Sequence, residues 1–329
     1  MFTGNRFSRA LLTVAVAGGF ALGGNSVGLA DTFAAGTANE FTIDFVPISG
    51  ATNPSIGYGI VNYDYRMGTY EITNDQWNKF TASLGVPVTG YPSSAYDYDF
   101  KDWGTGTTNV PTNSLSWYEA AQFVNWLNTS TGHQAAYKFT GTQGTSNYTF
   151  APWSVGDGGY DASNPYRNSS AYYFLPTENE WVKAAYWNGT SLQTLATKAG
   201  ESLTQGHGTG TGWNYYDNGY ATNPYGPWSV GSGSQELNGT YDMMGNNWEW
   251  MESPYSTGDY GAGSSRGLRG GNWYSASGNL QSSSRGNGID PTYEDVNIGF
   301  RVASVPEPGS ITLLLCVAAG GLLWWKRRK

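Results

Sequence analysis

Apolar positions along this chain fall into three regimes. Near the start, Arg6 and Arg9 precede an apolar stretch from Ala10 to Leu22, which runs down into the small residues Gly28-Leu29-Ala30 before Asp31. Near the end, an apolar run from Ile311 to Trp325 is followed by Lys326-Arg327-Arg328-Lys329. Between these ends the apolar residues come in short bursts, and three bursts carry a helical period. Thr73 or Asn74 caps a helix through Leu84, with Trp77 and Phe80 on one face. Ser116 opens a second helix whose stripe is Trp117, Ala120, Ala121, Val124 and Leu127, and Glu119 three residues on completes a capping box. The third begins at Pro176-Thr177-Glu178-Asn179-Glu180-Trp181, where Thr177 and Glu180 form another capping box and Ala184 and Ala185 permit close packing. The Gly- and Asn-rich stretches Thr140 to Asn168 and Gly200 to Ser234 predict long loops with short strands. No period of about 20 to 50 residues recurs, which excludes a solenoid or propeller.

The two ends read as addresses. Positive residues, a short apolar core and small residues make residues 1–30 a signal peptide, with the mature domain at 31–304. At the other end, Val305-Pro306-Glu307-Pro308-Gly309-Ser310 precedes the apolar run, and the basic cluster stays cytoplasmic by the positive-inside rule. At ~1.5 Å per residue that run covers about 22 Å of a ~30 Å hydrocarbon core, a marginal span suited to a transient hold. Residues 305–329 resemble the PEP-CTERM sorting signal: a Pro-Glu-Pro motif, a membrane segment and a basic tail, in that order. The resemblance implies processing by an exosortase near the motif. It also implies delivery to the cell envelope, surface or extracellular matrix of a Gram-negative bacterium, often alongside exopolysaccharide production, with transient anchoring in the inner membrane.

Composition narrows the function classes. The chain has 46 Gly, 24 Tyr and 14 Trp in 329 residues, and 13% of residues are charged. So rich an aromatic content, at 16%, builds a buried core rather than a disordered chain, while the glycines imply many turns. A net charge of -8 removes the electrostatic attraction on which nucleic-acid binding depends. The single cysteine, Cys316, lies in the C-terminal apolar run, so the domain has neither disulfides nor thiol chemistry. Two histidines, His133 and His207, exclude a site built from three imidazoles of one chain.

Six segments recur in a telling order: Tyr70-Glu71-Ile72-Thr73-Asn74, Val110-Pro111 with Ser116-Trp117-Tyr118-Glu119-Ala120, Phe174 to Trp181, Gly239 to Trp250, Leu268-Arg269-Gly270-Gly271-Asn272-Trp273, and Asn297-Ile298-Gly299-Phe300-Arg301-Val302. This set resembles the formylglycine-generating enzyme, or sulfatase-modifying factor, family over roughly residues 40 to 304. The resemblance implies an α+β, C-type lectin-like fold, loop-rich with little regular secondary structure.

It also implies where chemistry is missing. Family enzymes that make formylglycine use a cysteine pair between the Arg-Gly-Gly and Gly-Phe-Arg motifs. Gly270 to Arg301 contains none, and Ser282, Ser283 and Ser284 stand there instead. Hydroxyls are poor ligands for Cu(I), so no copper is expected. Two scattered histidines do not supply the iron site of the relative that joins sulfur to a histidine derivative. Asp97 with Asp99, or Glu178 with Glu180, can be drawn as a glycosidase pair, though loop and helix-start carboxylates are the commoner role. Ser114 and Ser116 can be drawn with a histidine as nucleophiles, but a capping serine explains Ser116 better.

The segment Asp242 to Trp250 is the candidate ion site. Asp242 and Glu249 offer hard oxygens, and Gly245 and Asn247 offer backbone carbonyls from a tight turn, which suits a structural Ca²⁺. The resemblance points to the same residues, and Asn214 is a candidate for a second site. The alternative is a turn held by the packing of Trp248 and Trp250. Arg269 and Arg301 are expected to tie loop carbonyls together through their five donors. Loop Tyr and Trp side chains either stack on sugars or fill a large aromatic core. The function expected from all this is a non-catalytic binding module for matrix polysaccharide or another envelope protein. The alternatives are an oxidoreductase-type enzyme with altered chemistry and a structural exopolysaccharide-matrix protein.

Overall fold

A computed structural model describes residues 29–88, 108–223 and 225–306. The signal segment up to residue 28, the pair Asp97 and Asp99, Cys316 and the apolar run from Ile311 lie outside the described residues. Among the described residues no helix is long and apolar enough to cross a membrane.

Ten short strands and three α-helices are described. The strands are β1 (Leu29–Phe33), β2 (Phe41–Ile48), β3 (Tyr65–Gly68), β4 (Lys138–Thr140), β5 (Thr149–Ala151), β6 (Tyr173–Phe174), β7 (Trp248–Pro254), β8 (Arg266–Arg269), β9 (Ile298–Gly299) and β10 (Ala303–Ser304). The helices are α1 (Asn74–Leu84), α2 (Trp117–Ser130) and α3 (Glu178–Tyr186). A five-stranded sheet runs β1-β2-β3-β10-β6, antiparallel at every pairing. A three-stranded sheet runs β8-β7-β9, with β7 antiparallel to β8 and parallel to β9. β4 and β5 pair alone.

β1 crosses the expected signal boundary: Ala30 pairs with Asp44 and Asp31 with Ile43. Asp31 takes both terminal nitrogens of the Arg66 guanidinium at 2.6 and 2.9 Å and the Tyr173 hydroxyl at 2.9 Å. The first residue expected in the mature chain is therefore bonded through its side chain to β3 and β6 of the same sheet.

All three helix starts behave as local chemistry dictates. Thr73, Ser116 and Thr177 each accept from the N3 backbone N–H, while Gln76, Glu119 and Glu180 reach back to the cap. Each cap is worth about 1 kcal/mol. The expected α2 stripe is fully buried, and Asn128 on that helix bridges to β6, donating to the Tyr173 carbonyl and accepting from the backbone N–H groups of Tyr172 and Tyr173.

Two apolar clusters fill the interior. One joins α1, α2 and the β1–β2 hairpin through edge-on and stacked rings, such as Phe80 with Phe123 at 5.1 Å and Phe33 with Tyr173 at 5.1 Å. The other gathers Met67, Trp181, Ala184, Ala185, Met243, Met244 and Met251 around α3. The loops keep the proportions expected of them. Residues 140–168 hold one short hairpin, and 200–234 hold only isolated bridges such as Gln205 to Trp213.

Candidate functional site

The centre of the molecule is a buried charge cluster built from the segments singled out by their order. β7 carries Glu249 inward, and Arg301, two residues after β9, meets it. The Arg301 Nε donates to both Glu249 oxygens at 2.9 and 2.7 Å, and its Nη2 donates to Oε1 at 2.6 Å. The remaining donors reach the carbonyls of Gly68 at 3.0 Å, Thr69 at 3.4 Å and Tyr241 at 2.9 Å. Trp181 of α3 adds a 2.7 Å bond to Glu249. One guanidinium thus ties three loops and two strands together, the role expected of it. Arg269 acts likewise: it donates to Glu178 at 2.8 Å, to the Ser282 carbonyl at 2.9 Å and to the Ser284 carbonyl.

Three more carboxylates surround Arg301. Glu71 accepts from the Asn247 backbone N–H and the Asn246 amide, and Glu236 accepts from the N–H groups of Met243 and Met244. Asp242, in a left-handed backbone conformation with φ 59°, accepts from Trp228 at 2.8 Å and Gly231 at 2.7 Å. Burial, then repulsion from Asp242 and Glu249, pushes the Glu71 carboxyl well above its ordinary range. Burial first raises Glu236 to about 8, against the pull of Arg301. Asp242 is likewise raised by burial. Burial works against the charged form of Arg301, but Glu249 more than offsets it and the guanidinium is held charged.

Asp242, Gly245, Asn247 and Glu249, the residues expected to hold a structural Ca²⁺, are all buried in one turn and the start of β7. Ca²⁺ takes six to eight oxygens. Here both carboxylates accept from protein donors, and the buried side-chain oxygens of Asn214 and Asn247 have no hydrogen bond among the described residues. Gly245 does occupy a tight turn: its φ is 89°, and a Cβ there meets the Asn214 carbonyl at 2.1 Å.

Other candidates also resolve into structural ties. Glu180 is bound by Arg167, which also grips Glu252 and lies 3.6 Å over the Phe174 ring. Glu178 pairs with Arg269 and Arg285. The two glutamates drawn as a glycosidase pair therefore serve different buried networks. His133 stacks on Tyr172 at 4.5 Å, and the His207 ring nitrogen lies 2.9 Å from the Ala221 carbonyl. Ser116 is a helix cap, and Ser282 and Ser284 offer their carbonyls to Arg269.

What the sequence left undivided is the surface aromatic set. The loop from Trp213 to Tyr225 is bridged to Ser275 by the Tyr216 N–H at 2.9 Å, which brings Tyr216, Tyr220 and Tyr225 beside Trp273 and Tyr274. Ring centroids lie 4.8 Å apart for Tyr220 and Tyr225, 5.6 Å for Tyr225 and Trp273, and 6.1 Å for Tyr220 and Tyr274. The four tyrosines are 38% to 60% exposed, whereas Trp273 is buried beneath them. Their spacing in sequence, not their type, hid them: Tyr274 lies about 50 residues from its partners.

The model of the sulfatase-modifying factor enzyme 1-like domain matches residues 8–305. Among solved structures, variable protein 1 of Treponema denticola is 21% identical, with 84% of this chain and 99% of that chain covered and a TM-score of 0.58. CarF is 21% identical, with 80% and 99% covered and a TM-score of 0.57. PvdO from Pseudomonas aeruginosa is 15% identical, with 82% and 96% covered and a TM-score of 0.51. A comparison with curated proteins gave no match. These likenesses fix the loop-rich α+β fold, and the matched span makes this chain a member of the sulfatase-modifying factor enzyme 1-like family.

Proposed function

We propose that this domain is a non-catalytic binding module delivered outside the cytoplasm, with the surface formed by Tyr216, Tyr220, Tyr225, Trp273 and Tyr274 as its contact face. The observation that carries the reading is the clustering of four exposed tyrosines over a buried tryptophan on loops rich in Gly, Asn and Ser. Rigid aromatic anchors beside small polar residues are how paratopes gain contact area at low entropic cost. Exposed apolar area gathered in one place marks a binding surface more often than chance exposure does. Delivery rests on the signal-like residues 1–30 and the exosortase-type segment 305–329. In the sequence the Pro-Glu-Pro motif begins two positions after the end of β10.

The absence of any cysteine between Gly270 and Arg301 supports a role other than formylglycine generation. The reading gives three expected results. A cysteine-containing sulfatase peptide incubated with the purified domain and copper acquires no aldehyde. The domain retains a polysaccharide or an envelope protein on a glycan array or in a pull-down. Intact-mass measurement of envelope material finds the basic tail removed. Aldehyde formation, or blank array and pull-down together, overturns the binding reading; retention of Lys329 overturns the sorting.

A further inference from the structure

A second surface lies away from the tyrosine loop in sequence, where β2 and the residues after β3 meet the turn before Asp242. It is a cleft of about 260 Å³, with Asp44, Val46, Thr69, Tyr70, Gln235, Gly239 and Tyr241 around it. Its walls are bonded to one another: the Thr69 N–H donates to the Asp44 carbonyl at 2.8 Å, and the Tyr241 N–H donates to the Thr69 carbonyl at 2.9 Å. Arg301 holds the same two segments from beneath through the Thr69 and Tyr241 carbonyls. Tyr70 and Tyr241 stack with centroids 5.2 Å apart, and Gly231 leaves Tyr70 its place, since a Cβ there comes within 2.6 Å of the ring. The cleft is therefore formed before any ligand arrives.

Several of its polar groups make no hydrogen bond with the described residues. Asp44 faces outward on β2, and among the described residues its carboxylate accepts no hydrogen bond and forms no ion pair. The hydroxyls of Thr69, Tyr70 and Tyr241 likewise make no hydrogen bond with the described residues. Gln235, by contrast, is fixed, accepting from Lys198 at 2.8 Å and donating to the Gly239 carbonyl at 3.1 Å. A carboxylate is acceptor-only when ionised and has room for two donors, while phenols both give and accept. Adjacent aromatic surface covers C–H faces, and the volume is below the range of about 300 Å³ and more that drug-sized ligands take.

We infer that this cleft is a subsite for one neutral hexopyranose unit, with Asp44 accepting from two sugar hydroxyls and Tyr70 and Tyr241 supplying the remaining polar contacts and an apolar wall. A uronate is disfavoured there by like charge at Asp44. The inference rests on reading the domain as a binding module, but on a different site from the tyrosine face.

The test is saturation-transfer NMR and calorimetry on the intact domain with methyl glucoside, galactoside and mannoside, and with glucuronate as the charged counterpart. At least one neutral hexoside is expected to bind at millimolar concentration, with glucuronate roughly tenfold weaker or more. Asp44→Asn is expected to weaken that hexoside by about tenfold. The thermal midpoint should not move, because the side chain has no protein partner. A Tyr220→Ser/Tyr274→Ser variant probes the other face and is read separately, by retention on a glycan array. Absence of transfer to all three hexosides, equal binding of glucuronate, or full binding by Asp44→Asn overturns the subsite. If that happens while the tyrosine variant still loses retention on a glycan array, the cleft assignment fails and the binding-module reading stands.

Discussion

Replacing Arg301 with Met should come close to unfolding the domain. The substitution conserves an unbranched stem but removes every donor, so Glu249, fully buried, keeps only the Trp181 N–H. Removing one partner of a buried pair costs about 3 to 5 kcal/mol, chiefly because the other charge is left uncompensated. The Gly68 and Tyr241 carbonyls also lose bonds of 3.0 and 2.9 Å. At about 1 kcal/mol each, these bring the loss to roughly 5 to 7 kcal/mol, as large as the whole stability of many domains. Because such a variant can fail to express as a folded chain, Arg301→Lys is the quantitative probe. It keeps the charge but cannot span Glu249 and the two carbonyls at once, and it should cost about 2 to 3 kcal/mol. Adding Glu249→Gln to Arg301→Met should recover part of the loss, since the stranded charge goes with it. The assay is equilibrium urea unfolding, with the midpoint and slope compared across the set. Arg301→Met costing less than about 1 kcal/mol, or no recovery in the double variant, would refute the view that this guanidinium is the central tie.

Three further outcomes follow from the same cluster. Glu236 is raised by burial from an ordinary 4.5 to about 8, so its contribution to stability is complete below pH 4.5 and is lost as pH rises to 8. Glu71 and Asp242 shift in the same direction; urea midpoints should therefore fall between pH 5 and 8, and a rise across that window contradicts the assignment. Gly245→Ala combines a positive φ with a 2.1 Å approach to the Asn214 carbonyl and should lower stability by at least about 2 kcal/mol, read by thermal melting; an unchanged midpoint would mean the turn relaxes freely. Calorimetric titration with millimolar Ca²⁺ tests the ion expected at Asp242, Gly245, Asn247 and Glu249: saturable heat with a raised thermal midpoint supports it, and no heat with no thermal shift ends it.

Local rules carried the sequence reading a long way. The boxes Ser116 with Glu119 and Thr177 with Glu180 are settled within one helical turn, so residue type and spacing suffice to find them. The buried stripe of α2 is legible for the same reason. The sheet order is not: β10 is two residues long and lies between β3 and β6, which are more than 100 residues away along the chain. The segment from Asp242 to Glu249 stands out as a buried acidic turn, yet its role depends on Arg301, 52 positions beyond Glu249, and on Trp228 and Gly231 upstream. The tyrosine face and the Asp44 cleft were hidden for the same reason, since each assembles residues from distant loops.

The most direct test of the binding reading is retention of the host's exopolysaccharide and envelope proteins by the immobilised domain, compared with its Tyr220→Ser/Tyr274→Ser variant in biolayer interferometry. The account predicts that the wild-type domain captures a ligand and that the variant loses more than about tenfold in affinity at an unchanged thermal midpoint. Equal capture by both would contradict it.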